Sequence, residues 1–117
     1  MDCNHWFDPR KDKALALKKK VEDAGQFFTY EVYLNYCSVL LVADALARAG
    51  SVDRARLTAA LESSTFADHI MPYGPTKFVN GQNQGAAPVN TQVLNNDIQV
   101  IFPAAFATAK PVFPRQA

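Results

Sequence analysis

The two cysteines, Cys3 and Cys37, and the two histidines, His5 and His69, are the first side chains to weigh for nucleophilic or acid–base work. A catalytic centre needs one of them beside a base, an orienting group or a metal. Cys37 lies in the most apolar part of the chain, where a thiol is usually inert. His69 stands in the proline-flanked loop "ADHIMPYG", where a surface or hydrogen-bonded imidazole is the plain reading. Asp68 is its sequence neighbour, and sequence neighbours do not make a dyad. The two cysteines match no metal-ligand spacing and read as free thiols. No catalytic residue, metal site or cofactor is therefore expected.

Two other stretches invite a functional reading. "VNGQNQGAAPVNTQV" (residues 79–93) looks like a phosphate-binding loop. It lacks the Lys-Ser/Thr ending of such loops, and a strand pattern rather than a helix follows it. Asn80-Gly81 is better read as a turn of positive φ. "FFTYEVYLNY" (residues 27–36) places Phe27, Phe28, Tyr30, Tyr33 and Tyr36 among Glu31 and Asn35. Aromatic walls with a few placed polar groups suit a small-molecule cleft, and plain core packing is the competing reading. Glu31, Asn35 and Ser38 recur at helical spacing and form a polar stripe.

These residues need elements to hold them. At 49% hydrophobic and 20% charged residues the composition is globular, and 117 residues suffice for one domain. A net charge of +1 gives no electrostatic case for nucleic acid or an anionic membrane. The N-terminus lacks the apolar run of a secretion signal. A first helix is expected over residues 9–24, capped by Asp8, with Pro9 in its first position and Gly25 as its stop. Lys18, Lys19 and Lys20 read as its solvated face.

A second helix is expected over residues 31–49, closed by Gly50. Between Tyr36 and Ala43 only Ser38 is polar, so burial on several sides is expected, and the apolar run is too short to span a bilayer. A third helix over residues 52–63, capped by Ser51, completes a helical hairpin. The texture then changes to short strands at residues 76–79, 89–94 and 98–102. The last two form an antiparallel hairpin across the "NND" turn, with Val89, Thr91 and Val93 on one face. The proline-rich tail reads as coil with one helical turn.

Three segments in order, "LLVADALARAGSVDRARLTAALESSTF", "GPTKFVNGQNQGAAPVNTQV" and "VIFPAAFATAKPVFP", resemble the C-terminal portion of ABC-transporter substrate-binding proteins of the branched-chain amino acid type. The resemblance runs from about Trp6 to Pro114. It implies an α/β chain with an incomplete periplasmic-binding-protein-like fold, three helices plus a C-terminal antiparallel β-hairpin, as one truncated domain. It implies a periplasmic, non-enzymatic solute-binding role, an amino acid or small organic acid as ligand, and a membrane permease as partner. If Met1 is the native start, the cytoplasm is the alternative location. The aromatic stretch falls near a crossover between lobes in that family, so the resemblance points to Tyr30, Glu31 and Tyr33 as ligand-facing residues.

A complete member is much longer and two-lobed, and most of the clamp for an amino acid's carboxylate and ammonium lies outside the matching portion. Ligand binding by this chain is accordingly expected to be weak or lost. The apolar second helix and unpaired strand edges would drive it to associate with itself as a homodimer or larger assembly, with exchanged helices as one route. The alternative is an interaction module that only oligomerises or modulates a full-length relative. A small hydrolase using Cys37 or His69 is the third reading.

Overall fold

The computed structural model describes residues 2–114. The chain is mixed α/β, with three helices and antiparallel strands. The expected single domain divides into two compact units: residues 7–87 carry the helices, and the segment up to Trp6 joins the segment from Pro88 onward in a sheet.

In the helical unit, α1 spans Asp12–Asp23. It begins later than the Asp8 cap predicts, because the Asp8 carboxylate is engaged elsewhere. Arg10 donates to it from its backbone nitrogen at 3.0 Å, from Nε at 2.8 Å and from Nη2 at 3.1 Å. This fork closes a turn ahead of the helix, and the N-cap position falls to Lys11, which makes no side-chain cap. Ala14 is fully buried, while Lys18–Glu22 and Lys19–Asp23 form i,i+4 pairs at 3.5 and 2.6 Å on the solvated face.

Helix α2 spans Tyr30–Ala49 and ends on Gly50 in the left-handed region, φ 59°. A side chain on Cα would strain that conformation, so glycine suits the stop. Only Tyr33 and Ala45 are fully buried along it. Val39 is 67% and Val42 41% exposed. The expectation of burial on several sides fails because α3 packs on one side, and among the described residues nothing covers Val39 and Val42. Helix α2 has 20 residues, and an 18-residue window of it has mean hydropathy 1.3, long and apolar enough by length and composition to cross a membrane, unlike the shorter apolar run within it.

Helix α3, Arg54–Glu62, packs on α2. Its cap is Asp53 rather than Ser51: the Asp53 carboxylate accepts from Arg56 N at 3.0 Å. Ser51 Oγ instead accepts from Asp53 N at 3.0 Å and shapes the turn. Beyond α3, β1 and β2 of a small hairpin, Phe78–Val79 and Gln82–Asn83, pair antiparallel. Asn80 and Gly81 turn it with φ of 51° and 76°, the primed-turn geometry that Asn-Gly favours. Gly85 lets the backbone pass close to Pro75, since a Cβ there would lie 2.2 Å from the Pro75 carbonyl oxygen.

The sheet unit holds β3 (Asp2–Asn4), β4 (Val89–Leu94) and β5 (Asp97–Phe102), all antiparallel, with β4 in the centre. The N-terminal strand was not foreseen: three residues are too few to show an alternation. Asn95 and Asn96, with φ of 53° and 62°, turn β4 into β5. The pairing steps from Thr91↔Val100 to Asn90↔Phe102, so Ile101 is an extra residue and buries beside Val100. Val89 and Thr91 are buried as the alternation predicts, but Val93 sits opposite Ile98 near the tip and stays 65% exposed. The tail makes one turn, Phe106 N donating to Pro103 O at 2.9 Å. It is then clipped to the sheet: Gln92 bonds both backbone groups of Val112, at 2.9 and 3.0 Å.

Candidate ligand-binding site

The aromatic stretch opens α2. Phe7, Phe28 and Tyr33 form one cluster, with ring centroids 4.9 Å apart for Phe7–Phe28, 5.4 Å for Phe28–Tyr33 and 5.9 Å for Phe7–Tyr33. Edge-on and tilted rings at such separations are the favoured aromatic geometry. Tyr33 is fully buried, and its phenol is pushed well above its ordinary range by burial, with Tyr30 adding to the shift. It therefore stays neutral. Tyr30, one turn earlier, is 47% exposed. Glu31 is exposed in the first turn, where the helix's positive end favours a carboxylate, and it accepts from Thr29 Oγ1 at 3.1 Å.

The polar stripe continues outward. Asn35 Nδ2 donates to the Glu31 carbonyl at 2.7 Å and Ser38 Oγ to the Leu34 carbonyl at 3.0 Å. Both spend their donors on their own helix. Of the three residues singled out in sequence, Tyr30 and Glu31 thus meet solvent, while Tyr33 forms the buried wall behind them.

His69 and Cys37 lie elsewhere in the helical unit. Residues 64–78 wrap into a loop held by side chains. Ser64 Oγ and Thr76 Oγ1 bond at 2.8 Å in the interior, and Phe66 N donates to Thr76 Oγ1 at 2.9 Å. Met71 N donates to His69 Nδ1 at 3.2 Å, so that nitrogen carries no proton. The proton is on Nε2, which donates to Gly74 O at 2.9 Å. Burial, above all, holds the imidazole below its ordinary pKa, and Lys11 adds to the effect. Both ring nitrogens are thus occupied by backbone, and Asp68 is paired with Lys13. Burial raises the Cys37 thiol, while the Ile70 backbone and the lysines Lys11 and Lys13 pull the other way. A protonated thiol and an engaged imidazole make no nucleophile–base pair.

Sequence reasoning missed this loop as a structural hub. Its buried anchors are Ile70 and Met71. The signal was the apolar pair after His69, just ahead of Pro72 and Pro75. An open depression of about 480 Å³ borders it, lined by residues 62–65 and 75–78. Among the described residues no group of three or more His, Cys, Asp or Glu converges as metal ligands. The "NGQNQG" segment forms the β1–β2 hairpin and leads into β4, with no helix N-terminus after it.

The periplasmic binding protein family model matches residues 4–98, and the chain belongs to that family. No curated protein and no solved structure matches it. The matched span takes in all three helices, the small hairpin and β4. The family binds solutes, works typically without catalysis, is associated with the periplasm and hands its small-molecule ligand to a membrane permease.

Proposed function

We propose that this chain serves solute capture in a branched-chain amino acid type ABC transport system, without catalysis. The family match across residues 4–98 carries the reading. The ligand is an amino acid or a small organic acid. Tyr30 and Glu31 face it and Tyr33 backs them: an exposed carboxylate at a helix start, beside a half-exposed phenol, offers an ammonium group both charge and an aromatic face. Thermal-shift measurements against leucine, isoleucine, valine, their amides and small organic acids test this. A ligand at 100 times its Kd adds about 2.7 kcal/mol to stability. A melting temperature unmoved by every compound at millimolar concentration sinks the ligand-binding reading.

The second reading is an assembly module, and the exposed apolar side of α2 at Val39 and Val42 favours it. The chain then associates with itself as a dimer or larger assembly through that side. Sedimentation at micromolar concentration decides: a compact, well-folded monomer removes the second reading and leaves the first intact.

A further inference from the structure

The loop over residues 64–78 is tied to the start of α1 by bonds at Asp68, His69 and Ile70. Asp8 N donates to Ile70 O at 2.7 Å, and Lys11 Nζ donates to the His69 carbonyl at 2.8 Å. Lys13 reaches the Asp68 carboxylate and, at 3.3 Å, its carbonyl. Between these ties His69 is buried, its Nδ1 accepting from Met71 N and its Nε2 donating to Gly74 O. Tyr73 and Phe66 flank the ring, with centroids at 5.0 and 6.2 Å. Met71, which the imidazole holds, is itself fully buried.

We propose that His69 is a proton-operated latch: a proton taken up at Nδ1 unseats residues 69–74 and frees the segment at Asp8 that leads into α1. The added proton turns the acceptor of the Met71 N–H into a second donor. Two donors then face each other at hydrogen-bonding distance, and a buried backbone N–H loses its partner. Asp68 favours the new charge, but burial together with Lys11 outweighs it. From the α1 side come Lys11, of like charge, and Lys13, which holds Asp68. Asp8, ahead of α1, is forked by Arg10. From α2 comes Cys37, whose thiol stays protonated, and from the loop itself Tyr73, whose phenol is pushed up to about 12 by burial and by Cys37. Phe7, next to Asp8, is part of the aromatic cluster, so opening the latch loosens the wall behind Tyr30 and Glu31. The latch is independent of what the chain binds, and its test needs no ligand.

Amide hydrogen exchange and ring-nitrogen NMR on the native chain, between pH about 7 and about 5, read it directly. Expected are an unprotonated Nδ1 at the upper pH and a protection-factor loss of about tenfold or more at Met71 and Asp8 relative to Ala45 of α2. The loss disappears in His69→Asn, whose Oδ1 replaces the acceptor without titrating. Unchanged protection at Met71, or a loss that persists in His69→Asn, overturns the proposal. If His69→Asn does not fold, the native ring decides: a pKa at or above 6.5 overturns it, and a lower one together with the Met71 loss supports it.

Discussion

The β4–β5 hairpin and the 64–78 loop solve the same problem with different groups. In the hairpin the backbone satisfies itself: a ladder runs from Leu94↔Asp97 to Asn90↔Phe102, and two asparagines of positive φ close it. The loop has no ladder. Its interior is satisfied by three side chains, Ser64, Thr76 and His69, aimed at backbone groups or at each other. A ladder tolerates changes to the side chains it carries, whereas a loop built on side-chain acceptors fails when one acceptor is lost. The difference also sorts the buried apolar residues: Ile70 and Met71 sit within the polar frame of the loop, while Val93 and Ile98 at the hairpin tip remain in water.

The largest contrast lies in truncation. Met71→Ala is expected to cost about 2–5 kcal/mol, the range for buried large-to-small changes. Val93→Ala is expected to stay within about 0.5 kcal/mol, as for exposed positions. Chemical denaturation of both variants measures the gap, and equal losses would break the comparison. Next is Thr76→Val, which keeps shape but removes the Oγ1 that both Phe66 N and Ser64 Oγ use, leaving them only their mutual bond at 3.2 Å. A loss of about 1–3 kcal/mol is expected, from the cost of stranding buried polar groups.

Acid follows. The folded chain holds His69 below its ordinary pKa, so the unfolded chain binds more protons once pH falls below about 6.5. Stability present above that value is lost as pH falls toward the folded-state pKa. Asp8 and Asp68 are both held below the ordinary carboxylate value. Their contributions fade only in more acid solution, below the window in which His69 acts. Denaturation midpoints for the native chain and His69→Asn across that window test the sign. Last come the turns: Gly81→Ala, at φ 76°, is expected to cost about 1–2 kcal/mol by the left-handed penalty, confined to the small hairpin, and calorimetry suffices to see it.

The same contrast explains what could be read in advance. Elements held by backbone bonds announce themselves through periodicity and punctuation. The β4–β5 hairpin showed in its alternating valines and the "NND" turn, and α2 showed in its apolar run and Gly50. The loop kept its secret because Ser64 and Thr76, twelve positions apart, meet only in the fold. Caps shifted for a related reason. Asp8 and Asp53 both carry the capping side chain, but Arg10 claims the first. At the candidate site the residue types were legible and their exposure was not. Tyr30 and Tyr33 are indistinguishable in a sequence, and they lie only about 60° apart around the helix, yet one meets solvent and the other is core.

The tail after β5 has a consequence for solubility. Val100 turns both of its backbone groups outward, and both are taken: its nitrogen donates to Thr108 Oγ1 at 3.0 Å, and its carbonyl accepts from Thr108 N at 2.8 Å and Ala109 N at 3.2 Å. A strand whose outer rim is occupied at its midpoint offers no continuous template to a passing extended chain. On the other side of this sheet the rim belongs to the short N-terminal strand, and three residues are a poor seed for fibril growth.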